Sequence, residues 1–388
     1  MSRTSLAWLL QPLTVQTFLE EVWGVTHYQV KRSRCGYFDG LVHGPTAFDE
    51  LLERVRPEPS AVRLVRGGES EAADAYRCPD GSLDLTRVRE AFAEGYTIVL
   101  NGLEQYVRAI ASLSHSIEVE LNFPTRVNAY FTPPESTGFE PHYDPHDVLI
   151  LQIHGFKVWR LSDGAAVPPH EIQRRQGVAG DIPLPSELRL ETGDVLYLPR
   201  GQVHAAETAS EPSVHLTVGI HAPTVLTLIT HALHSLSLRD DRLHARLPPR
   251  HIDDNAVRAR LGGLVRDIVE DPGVVAGGFD AMEDVLVRRG RCPPVGRISD
   301  SVAIDGDTVV AKHQPLYSRV VAAGSGAALQ FAQLSISVGA DHTAAMLFVS
   351  KSTEPFRVRD LPRLTAGQQT ELTRTLIAAG FLVRLPPD

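Results

Sequence analysis

With 388 residues, 43% hydrophobic and 22% charged, the chain has the composition of a globular protein large enough for two or three domains. Its formal net charge of -9 argues against a protein that coats nucleic acid non-specifically. Three cysteines, Cys35, Cys78 and Cys292, without a CxxC pair support neither a disulfide framework nor a zinc ribbon, and no apolar run approaches a membrane span, so a soluble, cytoplasmic chain is expected.

In chain order, "QTFLEEVWG" (16–24) places Phe18, Leu19, Val22 and Trp23 at helical spacing, with Gly24 as a stop. "LDLTRVREAFA" (83–93) reads as a helix, "YTIVLNG" (96–102) as a strand, and "YVRAIASLSHSIEVEL" (106–121) as a helix again. From about 125 to 220, short strand-like runs alternate with Pro and Gly turns: "RVNAYFTPP", "PHYDPHDVLILQIHG", "KVWRLSDG", "LRLETGDVLYLPRG" and "SVHLTVGIHAP". That spacing favours a barrel or sandwich over a parallel sheet. Beyond Pro223 two helical stripes follow, Val225/Ile229/Ala232/Leu233/Leu236 and Val257/Leu261/Leu264/Val265/Ile268, whose apolar faces need a partner surface. After about residue 300, "SVAID", "TVVAK", "AMLFVS" and "FLVRL" read as strands around one helix, which opens on a capping box from Thr365 to Gln368 and ends at Gly380.

Chemistry concentrates in "EPHYDPHDVLILQIHGFKVWRL" (140–161). His142 and Asp144 are two apart, so on a strand they share a face. The best third ligand is His204, after the Pro-Arg-Gly turn of "YLPRGQVHAAET"; His146 and His215 compete for that place. Two histidines and one carboxylate on one side of a metal form the facial triad of non-haem Fe(II) oxygenases, with three positions open. Lys157, in "GFKVWRL", is either solvated or faces inward; facing inward, it needs an anion, and the distal carboxylate of 2-oxoglutarate would serve.

Through these residues the chain resembles the JmjC-type ribosomal oxygenases of the cupin superfamily. "FLEEVWGVTHYQVKR" (18–32), the run from "RVNAYF" to "GFKVWRL", and "ETGDVLYLPRGQVHAAET" carry the similarity. It implies a mainly β fold with α: a double-stranded β-helix (cupin/JmjC jelly roll, 1–222), a helical dimerisation region (223–298) and a small α+β, winged-helix-like C-terminal domain (299–388). It implies Fe(II) held by His142, Asp144 and His204, 2-oxoglutarate anchored by Lys157, and O2 as co-reactant, with Asn128, Tyr130 and Thr217 lining the pocket. Lysine at 157 is closer to the histidine-hydroxylating branch than to the bacterial arginine-hydroxylating one. The expected activity is hydroxylation of a side chain in a protein or peptide, with a ribosomal protein among the candidates, by a homodimer without membrane attachment. A tailoring hydroxylase for a small molecule or ribosomally made peptide is the alternative within this chemistry. A non-catalytic cupin regulator is the alternative outside it. Residues 301–388 carry eight Lys/Arg against seven Asp/Glu, which argues against DNA binding.

Overall fold

Alternation along two neighbouring strands, 125–132 and 213–220, builds the centre of the N-terminal part: Val127, Ala129 and Phe131 of the first and Val214, Leu216, Val218 and Ile220 of the second are buried in the core, and the intervening positions face the other way. The computed structural model describes residues 4–43, 47–165, 167–172, 181–290 and 304–386. It divides into two compact units, 1–222 and 223–388. Cys292 and a domain boundary at 298/299 lie outside the described residues, and so do residues 301–303 of "SVAID".

The strands of the first unit are β1 (Tyr28–Val30), β2 (Val62–Arg66), β3 (Glu69–Ser70), β4 (Thr97–Leu100), β5 (Thr125–Thr132), β6 (Asp147–His154), β7 (Phe156–Leu161), β8 (Ser186–Glu191), β9 (Val195–Leu198), β10 (His204–Glu207) and β11 (Ser213–Ile220). They form an antiparallel sheet in the order β1-β9-β6-β11-β5-β4-β2-β3 and a second, β10-β7-β8. This is the double-stranded β-helix. One face of the large sheet packs on the helices Leu6–Leu10, Ala47–Val55, Leu85–Ala93 and Arg108–Leu121 through Val127, Ala129, Leu149, Leu151, Leu216 and Val218. The other face meets the small sheet through Val148, Ile150 and Leu196 against Trp159, Leu161 and Leu190. Gly155, at φ +63°, closes the β6–β7 turn where any Cβ would collide with the carbonyl of Pro212.

Three expectations change here. The helix around 15–23 is a short α turn, Val15–Thr17, that continues as a π-helix over Phe18–Val22, so Trp23 forms its cap. β6 starts at Asp147, so His142 and Asp144 lie ahead of the strand, joined to it through Pro145, which has no N–H to give to a ladder. His146 sits in the same bend and shares no strand face with them.

In the second unit, helices Val225–Ser237, Asn255–Val269 and Gly273–Val287 precede β12 (Val309–Lys312), β13 (Arg319–Ala323), β14 (Gly326–Phe331), β15 (Leu334–Gly339), β16 (Phe356–Arg357) and β17 (Leu382–Arg384). The third helix escaped the reading of two helical stripes because "GVVAGG" carries no polar face. Its Gly277 and Gly278 instead lie directly on Ser235, Ala232 and Leu228 of the first helix. Within the stripes only Ala232, Leu236 and Ile268 are buried, while Val225 is 73% exposed. "AMLFVS" is helical, within Thr343–Lys351: Ala345, Met346 and Val349 are buried at helical spacing, a short apolar run that alternation alone could not assign. The capping box of Thr365 and Gln368 opens the helix Ala366–Ala378, and Gly380 follows it at φ +76°. Among the described residues no helix is long and apolar enough to cross a membrane.

Candidate metal centre and cavity

His142 and His204 are joined backbone to backbone by an isolated antiparallel bridge, His142 N–H to His204 O at 3.0 Å and His204 N–H to His142 O at 2.8 Å. Paired residues of such a bridge project to the same side, and the two imidazole centroids lie 4.4 Å apart. Each ring donates from Nδ1 to the carbonyl two residues earlier: His142 to Glu140 at 2.9 Å, His204 to Gln202 at 3.0 Å. Both Nε2 lone pairs are thereby left for a ligand, the arrangement by which outer hydrogen bonds orient metal-binding histidines. Asp144 completes the set, its Oδ2 3.8 Å from His204 Nε2, held by the Gly201 N–H on its own carbonyl at 2.9 Å. One ligand atom from each of His142, Asp144 and His204 falls within 4.8 Å of the others. Burial, then the neighbouring His142, pushes His204 down to about 4, so it is the neutral, metal-binding form at physiological pH.

The three open onto a cavity of about 540 Å³ between the two sheets. Cross-strand pairs of β5 and β11 floor it in a row: Tyr130 opposite His215, Asn128 opposite Thr217, Arg126 opposite Gly219. A closed circuit of rings surrounds its deep end, each in contact with the next: Tyr130, Phe139, His142, His204, Trp159, His215 and back to Tyr130. Tyr130 and His215 are stacked, 4.7 Å apart at 1°. Burial, then the Asp144 charge, pushes the Tyr130 phenol up to about 12, so it stays a neutral hydroxyl.

Lys157, on β7, also lines this cavity and is only 4% exposed. Its Nζ donates to Thr132 Oγ1 at 2.8 Å, and no described carboxylate pairs with it. Burial alone pushes the ammonium down to about 7. Trp159 Nε1 and His215 Nδ1, also on lining residues, are buried without a hydrogen-bond partner. Unpaired buried polar groups around one cavity are the mark of a polar ligand that satisfies them. The donor set fits a six-coordinate divalent iron with one side open, and the cavity fits a small dianion.

The structure therefore gathers His142, Asp144, His204, Lys157, Asn128, Tyr130 and Thr217 around one space, with His215 at the deep end and His146 at the open one. It adds residues that the sequence reading did not single out. Arg126 could have been found, since it continues the alternation of Asn128 and Tyr130; Phe139, Arg63 and His221 come from loops or distant strands and carry no local signal.

A model of the JmjC domain family matches residues 104–228, which contain all the ligand candidates. Residues 104–228 thus carry a JmjC domain. The chain is 29% identical over 226 residues to a Drosophila mojavensis protein named "bifunctional lysine-specific demethylase and histidyl-hydroxylase NO66", covering 56% of this chain and 24% of that one. Its Drosophila erecta counterpart is 30% identical over 231 residues, covering 56% and 34%. The chain thus spans about a quarter to a third of these curated relatives. Among solved structures, E. coli YcfD superposes with a TM-score of 0.63 at 18% identity, covering 96% of this chain and 98% of that one. A second structure of that ribosomal oxygenase, with cobalt and 2-oxoglutarate, superposes with a TM-score of 0.58 at 17% identity, covering 97% and 99%. The chain therefore shares the overall fold of YcfD.

Proposed function

We propose that this chain is an Fe(II)- and 2-oxoglutarate-dependent dioxygenase that hydroxylates a side chain of a protein or peptide. One observation carries the reading: two histidines with free Nε2 atoms and a carboxylate meet on one side of a cavity that also buries a lysine with no carboxylate partner among the described residues. When bound, Fe(II) with 2-oxoglutarate and O2 supplies decarboxylation of the keto acid to succinate and CO2 together with insertion of one oxygen atom into a substrate C–H bond.

The residues do the rest. His142, Asp144 and His204 hold the metal on one side, and the Glu140 and Gln202 carbonyls keep both imidazoles in the metal-binding tautomer. Lys157, steered by Thr132, holds the distal carboxylate of the keto acid. Asn128, Tyr130 and Thr217 present polar atoms along the floor, where Tyr130 remains protonated and can donate. The aromatic circuit keeps water from the reacting centre, which strengthens each of these charge interactions.

A protein or peptide substrate is supported by the names of the relatives, a histidyl-hydroxylase and a ribosomal oxygenase. The test is anaerobic addition of Fe(II) and 2-oxoglutarate to the protein. A visible charge-transfer band is expected, absent in His142→Ala, and succinate is expected once O2 is admitted; no band and no succinate would overturn the reading. We further propose a cytoplasmic homodimer with its helical region, 223–298, as the dimerisation surface, supported by the exposed Val225, Leu226, Ile229 and Phe279 on two of its helices. Light scattering on the wild type and on Ile229→Asp/Phe279→Asp tests it, a monomeric wild type being the adverse result.

A further inference from the structure

We infer that the open end of the cavity is a subsite for carboxylates, so that the segment entering the site is an acidic stretch of peptide. The inference rests on the oxygenase reading and names the substrate class of that same site. Of the described residues that line the cavity, one is acidic, Asp144, against Arg63, Arg126 and Lys157. With a divalent metal and a dicarboxylate keto acid in place, the charges of the metal, Asp144, Lys157 and the keto acid cancel. Arg63 and Arg126 then remain uncompensated.

Both arginines are exposed strand residues, and neither forms an ion pair with a described carboxylate. Arg63, on β2, donates from Nη2 to Ser70 Oγ at 3.0 Å, a contact that orients the guanidinium without neutralising it. Arg126 ends the cavity-floor row outward from the stacked Tyr130–His215 pair, on the same face of β5. Opposite it stands Gly219, where a Cβ would lie 3.3 Å from Cε1 and Nε2 of His146. The bare glycine leaves room for the imidazole against the sheet, edge-on to His221 with centroids 4.5 Å apart. His146 Nδ1 is buried with no hydrogen-bond partner, one more polar atom for an arriving ligand. Guanidinium groups with free N–H forks match carboxylates, and a cationic side chain would have to enter against them. The chain's net charge of -9 makes this local excess of positive charge a feature of the site and not of the whole surface.

The test uses the full chain with Mn(II) and 2-oxoglutarate under argon. Three labelled peptides, identical except that one is rich in Asp and Glu, one in Lys and Arg, and one in Gln and Asn, are titrated by fluorescence anisotropy beside a single-stranded oligonucleotide. The acidic peptide should bind at least about tenfold more tightly than the other two, and Arg63→Gln or Arg126→Gln should each weaken it by about tenfold. No preference among the peptides, including no binding by any of them, overturns the inference. So does a preference that survives in the double variant, or stronger binding of the oligonucleotide. Failure of the underlying reading looks different: calorimetry would show no Mn(II)-dependent binding of 2-oxoglutarate to the wild type, whatever the peptides do.

Discussion

His142 and His204, 62 positions apart in the chain, are direct partners across a two-hydrogen-bond antiparallel bridge, and each anchors its ring on the carbonyl two residues before it. The ligand pair is thus set by backbone pairing, and the side chains need only complete a geometry the main chain imposes. Because the bridge uses backbone atoms, it survives a change of side chain. His142→Ala should leave the fold's thermal transition within a few degrees of wild type. Its loss of metal affinity should exceed the ~10–100-fold typical of removing an outer hydrogen-bond partner. Calorimetric metal titration beside a thermal melt checks both halves.

Asp144 is half-buried and supplies the only carboxylate of the described cavity lining. Asp144→Ala should abolish 2-oxoglutarate decarboxylation, while Asp144→Asn, which keeps the shape and removes the charge, should lose most of it. Full succinate release by either variant would remove Asp144 from the metal set.

Lys157 is stored in the cavity at a cost to stability. Burial lowers it from 10.5 to about 7, so between those values the unfolded chain holds more protons than the folded one, and stability rises with pH through that window. Below about pH 7 both states carry the charge and the folded state bears the full desolvation penalty. Lys157→Met should therefore stabilise the protein by on the order of 2 kcal/mol at neutral pH and below, and flatten this pH dependence. It should at the same time abolish 2-oxoglutarate binding. Denaturant titrations at several pH values measure the first effect and calorimetry the second.

The same group makes cosubstrate affinity pH-dependent. Below about pH 7 Lys157 is already an ammonium and binds the carboxylate directly; above it, binding must take up a proton, and affinity should fall by up to about tenfold per pH unit. The dissociation constant of 2-oxoglutarate with Mn(II) across neutral and mildly alkaline pH gives the slope, and a flat profile would exclude Lys157 as the anchor.

In the second unit, Gly278 lets two helices approach: a Cβ there would lie 2.9 Å from Ala232 Cβ and 3.0 Å from the Leu228 carbonyl oxygen. Gly278→Val should destabilise this unit by about 1–3 kcal/mol, visible as an earlier step in thermal unfolding. An unchanged transition would mean that the helices shift apart without penalty.

Much of the site was legible because its residues carry chemistry in local patterns. The HxD pair needs only two positions, and Lys157 stands out as a cation beside Phe156 and Trp159 in a strand-like run. The face-sharing argument for His142 and Asp144 rested on the wrong element, since both precede β6: a bridge to His204 places His142, and the Gly201 N–H holds the carbonyl of Asp144. "AMLFVS" failed for a related reason: six apolar or small residues have no period until the surrounding elements choose one.

By itself the sequence determined the alternation of β5 and β11, the turns at Pro and Gly, the capping box at Thr365, and which side chains could ligate a metal. These are short-range properties, set by steric limits on φ and ψ and by the two-residue repeat of a strand. Only the tertiary structure decided that His204 meets His142, that Trp159 and Phe139 close the ring around the cavity, and that Arg63 and Arg126 stand at its mouth without a carboxylate partner among the described residues. Those relationships join segments far apart in the chain, and they exist because burying the two inner sheet faces against each other leaves one register in which every strand is paired.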